Sequence, residues 1–214
     1  MSWLNRLLSS RPESAAAQAA VQTALAQWQT LPPAPTRLPH YETRYVVLNT
    51  EATGLHPERD RLLSVAAIAI ERCRLDPAHS LYAALEPAPA QTLARLLAFC
   101  GQTPVVVFNS GFNRVMLEQA LSDTLNVSTE WPWLDLYWIL PALFPEHQGH
   151  AARLTDWMGF LGIETFQRHH ALGDAYAIAQ LLLAALARAR QRGLHAPQAL
   201  AELESRTRRD SRPR

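Results

Sequence analysis

Three short polar clusters stand where apolar stretches of the chain end. Asn49-Thr50-Glu51 follows YVVL, Phe108-Asn109-Ser110-Gly111-Phe112-Asn113 follows PVVV, and His169-His170-Ala171-Leu172-Gly173-Asp174 opens a long helical pattern. Carboxylates, amides and a histidine delivered by separate element ends suit metal-assisted hydrolysis of a phosphodiester. Hard divalent cations need anionic oxygens held from several directions at once. Each cluster taken alone also has a plainer reading. Asn49 is a strand-end amide bonding nearby backbone, and Asn113 is a helix N-cap. His169 and His170 are a solvated pair, and Asp174 is an acid favoured by the start of a helix.

The elements that must position these clusters follow from hydrophobic period. A first strand is predicted at about 44–50 and a second over 61–75, joined through LHPERD, with a short third at 80–85. Residues 91–100 read as helix, 103–109 as another buried strand, and the segment from 112 as a helix with Phe112, Met116 and Leu117 on one face. The stretch WPWLDLYWILPALFP, 131–145, reads as a short strand or turn and then a helix. Helices are also predicted over 151–163 and 170–192. Before the first strand lie a helical arm, 2–29, and the Pro-rich linker LPPAPTRLP. The stretch 203–214, LESRTRRDSRPR, is expected to be a frayed basic tail. Strands followed by interleaved helices predict an α/β fold with a mixed sheet.

With 214 residues, 48% hydrophobic and 18% charged, the chain can bury one α/β core. A net charge of +1 commits it to neither nucleic acid nor membrane. All 20 basic residues are arginine. Arg188, Arg190, Arg192, Arg206, Arg208 and Arg209 either track a nucleic-acid backbone or line solvated faces. The tryptophan-rich stretch reads as core and lid before it reads as a base-stacking platform. Cys73 and Cys100 lack any metal or redox spacing, which suits idle thiols in a reducing compartment. No stretch approaches the ~20 uninterrupted apolar residues of a membrane span, so a cytoplasmic location without membrane contact is expected.

The three clusters together resemble the DnaQ-like 3'–5' exonucleases of the DEDDh group, which have a ribonuclease H-like fold. Asn49-Thr50-Glu51-Ala52-Thr53-Gly54 takes the place of Asp-x-Glu-x-x-Gly, and Asn109-Ser110-Gly111-Phe112-Asn113 that of Asn-x-x-Phe-Asp. His169-His170-Ala171-Leu172-Gly173-Asp174-Ala175 matches His-x-Ala-x-x-Asp-Ala throughout. The likeness spans about 44–192. It divides the chain into an arm and linker (1–40), an exonuclease-like domain (41–193) and a basic tail (194–214).

The resemblance implies a ribonuclease H-like mixed sheet flanked by helices, with a helical N-terminal arm. It implies two Mg²⁺ or Mn²⁺ ions held at positions 49, 51, 113 and 174, with His169 as general base. The 3' end of single-stranded DNA or RNA would be the substrate. Thr53, Gly54, Leu55, Asn109 and Phe112 would lie against it. Two acidic positions are departures, because Asn49 and Asn113 are amides; Phe108 stands where many members have His. The motif carboxylates supply −2 rather than −4 against +4 from two ions, so weak metal binding and weak or lost hydrolysis are expected. The amides fit a lapsed nuclease and an introduced substrate trap equally. The alternative is a non-catalytic binding or scaffold module attached to a polymerase or nuclease. A protein partner or a homodimer through the arm belongs with either reading.

Overall fold

Strict alternation along the strands sorts their side chains between two layers of helix. In the computed structural model, which describes residues 15–147 and 153–211, five strands form one sheet in the order β3-β2-β1-β4-β5. They are β1 (Tyr45–Ala52), β2 (Leu62–Glu71), β3 (Arg74–Ala84), β4 (Val105–Val107) and β5 (Trp133–Asp135). The β1–β2 and β2–β3 pairs are antiparallel, whereas β1–β4 and β4–β5 are parallel. The predicted mixed α/β sheet is therefore present.

On one face Tyr45, Val47, Ile68, Ile70 and Val106 pack against α6 (Ala171–Gln191), α4 (Leu136–Leu143) and α7 (Pro197–Asp210). On the other, Val46, Leu48, Val65, Val105 and Val107 pack against α1 (Ala15–Gln29), α2 (Pro89–Cys100) and α3 (Ser110–Leu125). Each such side chain removed from water contributes roughly 1.5–3 kcal/mol. A further short helix is α5 (Leu154–Leu161). α6 has the length and composition of a membrane span, but Ala175, Ile178, Leu181, Leu182 and Ala185 are buried in the first of these cores.

The structure corrects two predictions and adds contacts to a third reading that was left open. The second strand does not run on to residue 75. It turns at Arg72 and Cys73, whose φ values are +52° and +54°, and β3 leaves that hairpin at Arg74, well before 80. The C-terminal stretch does not fray at 203; it is helical through Asp210, with Leu200 and Glu204 buried. Three of the arginines weighed between backbone tracking and solvated faces also make contacts within the chain. Arg188 pairs with Glu146 and lies over the Phe144 ring, Arg192 donates to Ala142 O, and Arg208 bonds Ser110, Glu204 and Asp135.

Cys73 and Cys100 are free, and burial pushes the Cys100 thiol up to about 12. In the described part of the arm, Val21, Leu25 and Trp28 join the core beneath α2, and Trp28 Nε1 donates to Gly101 O at 3.1 Å. Residues 2–14 of the predicted arm helix, 151–152 of the next-to-last predicted helix and 212–214 of the tail lie outside the described residues.

Candidate functional site

β1 outruns its parallel neighbour. β4 pairs with it only at Val46–Val105 and Val47–Val106; Val107 still pairs with Asp135 of β5, after which the chain leaves the sheet for α3. The carboxyl ends of parallel strands that separate in this way leave a crevice, the usual ligand position in α/β sheets. The polar end of β1 borders it.

Alternation divides that end between the two faces. Asn49 and Glu51 follow Tyr45 and Val47 towards α6, in register with Ala66 and Ser64 of β2. Asn49 is half-buried, and its Nδ2 donates to Ala171 O at 3.4 Å, at the first residue of α6. Glu51 is also half-buried and carries no side-chain hydrogen bond or ion pair among the described residues.

Thr50 faces the other way and is held by Asn113. Asn113 Oδ1 accepts from Thr50 N–H at 3.0 Å and from Thr50 Oγ1–H at 2.8 Å. Its Nδ2 donates to Phe108 O at 3.1 Å and to Asn109 O at 3.2 Å. A backbone N–H can only donate, so Thr50 fixes which end of the amide is oxygen. Both lone pairs of that oxygen are used. The amide takes over the Thr50 N–H where β4 has left the sheet, and so it staples β1 to the start of α3. Asn113 is not the helix cap: that position is Asn109, which has φ +70° and an exposed side chain that caps nothing. Phe112 is half-buried against the core on the α3 side.

A carboxylate that sequence reasoning missed sets the turn between β4 and α3. Asp135, only 2% exposed, accepts Asn109 N–H at 2.9 Å and Ser110 N–H at 2.8 Å, one on each oxygen. It also caps α4 by accepting Tyr137 N–H at 3.0 Å, and it receives Arg208 from α7 at 3.3 Å. Glu204 Oε2 accepts the Asp135 N–H at 2.9 Å; burial pushes this carboxyl above the usual glutamate range, and the Asp135 N–H and Arg208 oppose that. The available signal was an Asp between an apolar strand and a helix, which is an N-cap pattern.

The third cluster owes its shape to Gly173. A Cβ there would lie 1.8 Å from Gln167 O, so only glycine lets residues 165–168 rest on the first turn of α6. Thr165 Oγ1 holds the contact by donating to Gly173 O at 2.6 Å. The chain then turns through His169 at φ +56°. Arg168 Nη1 donates to Asp174 Oδ1. Burial pushes the Asp174 carboxyl above its ordinary range, and the Arg168 guanidinium beside it is the chief opposing influence. The His169 ring is exposed, whereas the His170 ring lies against Tyr82 of β3 at 4.8 Å. Arg168 is the second residue missed, because nothing in a basic loop residue announces the carboxylate it will meet.

The loop after β1 is closed on itself. Asp60 accepts from Thr53 Oγ1–H at 3.0 Å and His56 N–H at 2.8 Å, and a Cβ on Gly54 would lie 2.5 Å from Asp60 Oδ2. Thr53 thus spends its hydroxyl inside the loop, while Leu55 projects with 78% exposure.

A pair of divalent cations does not fit this donor set. Of the four positions implied for metal, Asn113 has its oxygen committed to Thr50, and Asp174 is engaged by Arg168. No cluster of three or more His, Cys, Asp or Glu side chains suited to an ion exists among the described residues.

No family model matches the chain, and no curated protein matches it. Solved structures do. Escherichia coli Exonuclease I in complex with a dT13 oligonucleotide superposes with a TM-score of 0.53 at 15% identity, over 70% of this chain and 42% of that one. A second Exonuclease I structure gives 0.54 at 19% identity, over 76% and 43%. The moderately thermophilic Exonuclease I from Methylocaldum szegediense gives 0.52 at 21%, over 71% and 42%. The chain spans about two fifths of these proteins, and what it shares with them is the fold, an open mixed sheet flanked by helices.

Proposed function

We propose that the chain binds the 3' end of a single-stranded nucleic acid in the crevice at the end of β1, and that it hydrolyses that end weakly or not at all. The fold likeness and the motif spacing support the first half. One observation carries the second. Asp174 is paired with Arg168 and the Asn113 oxygen is taken by Thr50, which leaves Glu51 as the one uncommitted motif carboxylate. In this reading His169, exposed beside Asp174, faces the terminal phosphate, with Leu55 against the last base. Hydrolysis lacks the anionic ligand set that would gather and ionise a water.

The test pairs fluorescence anisotropy on a labelled single strand with a cleavage assay in Mn²⁺, alongside Asn49→Asp and Asn49→Asp/Asn113→Asp variants. Wild-type protein is expected to bind the strand and leave it intact. Cleavage by the wild type at the rate of a working exonuclease would refute the second half. Failure to bind either DNA or RNA would refute the first and favour a scaffold module.

A further inference from the structure

We propose that Arg168 is a tethered cation standing in for a metal ion: its guanidinium supplies the positive charge at Asp174, and the terminal phosphodiester of a single strand binds there without a divalent cation. What the site binds rests on the function proposed above; what neutralises it does not.

The arrangement is built into the backbone. Gly173 admits the Gln167 carbonyl to the start of α6, and the Thr165 hydroxyl locks the loop there. The residue after Gln167 is thereby delivered to the first turn of α6, where Asp174 stands. The Arg168 side chain is 30% exposed and that of Asp174 15%, so the pair is partly withdrawn from water, where an ion pair is least screened. Within the candidate site Glu51 and Asp174 contribute −2 and Arg168 returns +1, which is a poor trap for a hard dication.

Arg168 is not exhausted by this contact. Its one hydrogen bond among the described residues uses Nη1, and a guanidinium carries five N–H donors in a planar fork. The remaining donors suit the paired oxygens of a phosphate, which Arg can grip bidentately as no lysine can. An arginine pinned to an acid on one edge and open on another is a prepared phosphate ligand.

Two measurements on the full chain decide this, using wild type, Arg168→Gln and Arg168→Lys, with circular dichroism as the folding control. In a Mn²⁺ titration followed by the paramagnetic resonance of the free ion, Arg168→Gln should bind one ion at least about tenfold more tightly than wild type, since a like charge has left the site. Arg168→Lys should behave as wild type. Equal affinity of Arg168→Gln and wild type would overturn the proposal. In anisotropy with a single-stranded oligonucleotide, wild-type affinity should be the same in EDTA and in Mg²⁺, and Arg168→Gln should lose about tenfold in EDTA, of the order of one bidentate contact. A wild type that needs Mg²⁺ to bind, or an Arg168→Gln that binds as well without it, would also overturn it. If wild type binds no oligonucleotide at all, the proposed function falls, while the Mn²⁺ titration still decides the role of Arg168.

Discussion

Introducing an acid at position 113 should damage the fold before it helps any chemistry. Asn113 is 5% exposed and is paired on all sides. In Asn113→Asp the second carboxylate oxygen would replace Nδ2, facing Phe108 O and Asn109 O at the present 3.1 and 3.2 Å. Two donated bonds are lost, about 1 kcal/mol each, and burying the charge against two carbonyl dipoles costs a few more. The two Thr50 donors would bond a charged oxygen more strongly and recover about 2 kcal/mol. The net loss at neutral pH is about 2–4 kcal/mol.

The sign with pH follows. Once protonated, the introduced carboxyl regains one donor, so its folded pKa lies above its unfolded one. The penalty is therefore smallest below the unfolded value, and it grows to its full size as pH rises through the folded value. Urea unfolding at pH 7.5 and pH 5.0 reads both effects. With m near 2–3 kcal/mol/M, the midpoint should fall by about 1 M at the higher pH and by less at the lower. A deficit under about 0.5 kcal/mol, or one identical at both pH values, would refute the stapling role of the amide.

The remaining predictions concern the loop and the buried acid. Gly173→Ala forces a methyl to 1.8 Å from Gln167 O and should cost more than about 3 kcal/mol, lowering the melting temperature by several degrees; an unchanged melting curve would show that the loop does not rest on α6. Glu204 is held above its usual range by burial, so its contribution is complete below its unfolded pKa and is lost as pH rises through the folded one. Glu204→Gln should flatten that decline in a stability-versus-pH series, and parallel curves for variant and wild type would count against it.

The parts of the site visible in the sequence are those that local pattern encodes. The run before Asn49 reads as a strand because its alternate residues feed two cores, and His169–Asp174 announces a helix start. What stayed hidden depends on distant partners or on unusual backbone. The β2–β3 turn uses Arg72 and Cys73 at positive φ, where a hairpin ordinarily shows Gly or Asn, so the apolar run reads as continuous. α7 reads as a basic tail because its arginines are numerous. Its attachment rests on Leu200 in the core, on Glu204 meeting the Asp135 N–H and on Arg208 meeting the Asp135 carboxylate, a site many residues upstream. Asn113 and Thr50 lie 63 residues apart, and no spacing rule links them.

The two amides are therefore not equivalent. A carboxylate accepts and never donates, so surroundings shaped for one offer donors alone. Asn113 donates to two carbonyls as well as accepting from two donors, which makes the position one built for an amide. Asn49 makes one long bond, 3.4 Å to Ala171 O, and is only half-buried. Asn49→Asp gives up that bond and places a charge near the start of α6, where the helix dipole favours an acid, so its net cost should be under about 1 kcal/mol. It also adds a charge beside Glu51 on the same face of β1. Metal affinity should therefore respond to position 49 and hardly at all to position 113. Mn²⁺ titrations of the two single variants test this directly. A gain confined to Asn113→Asp would mean that the oxygen now held by Thr50 can be released to an ion, and that the amide is a local change in an otherwise intact metal site.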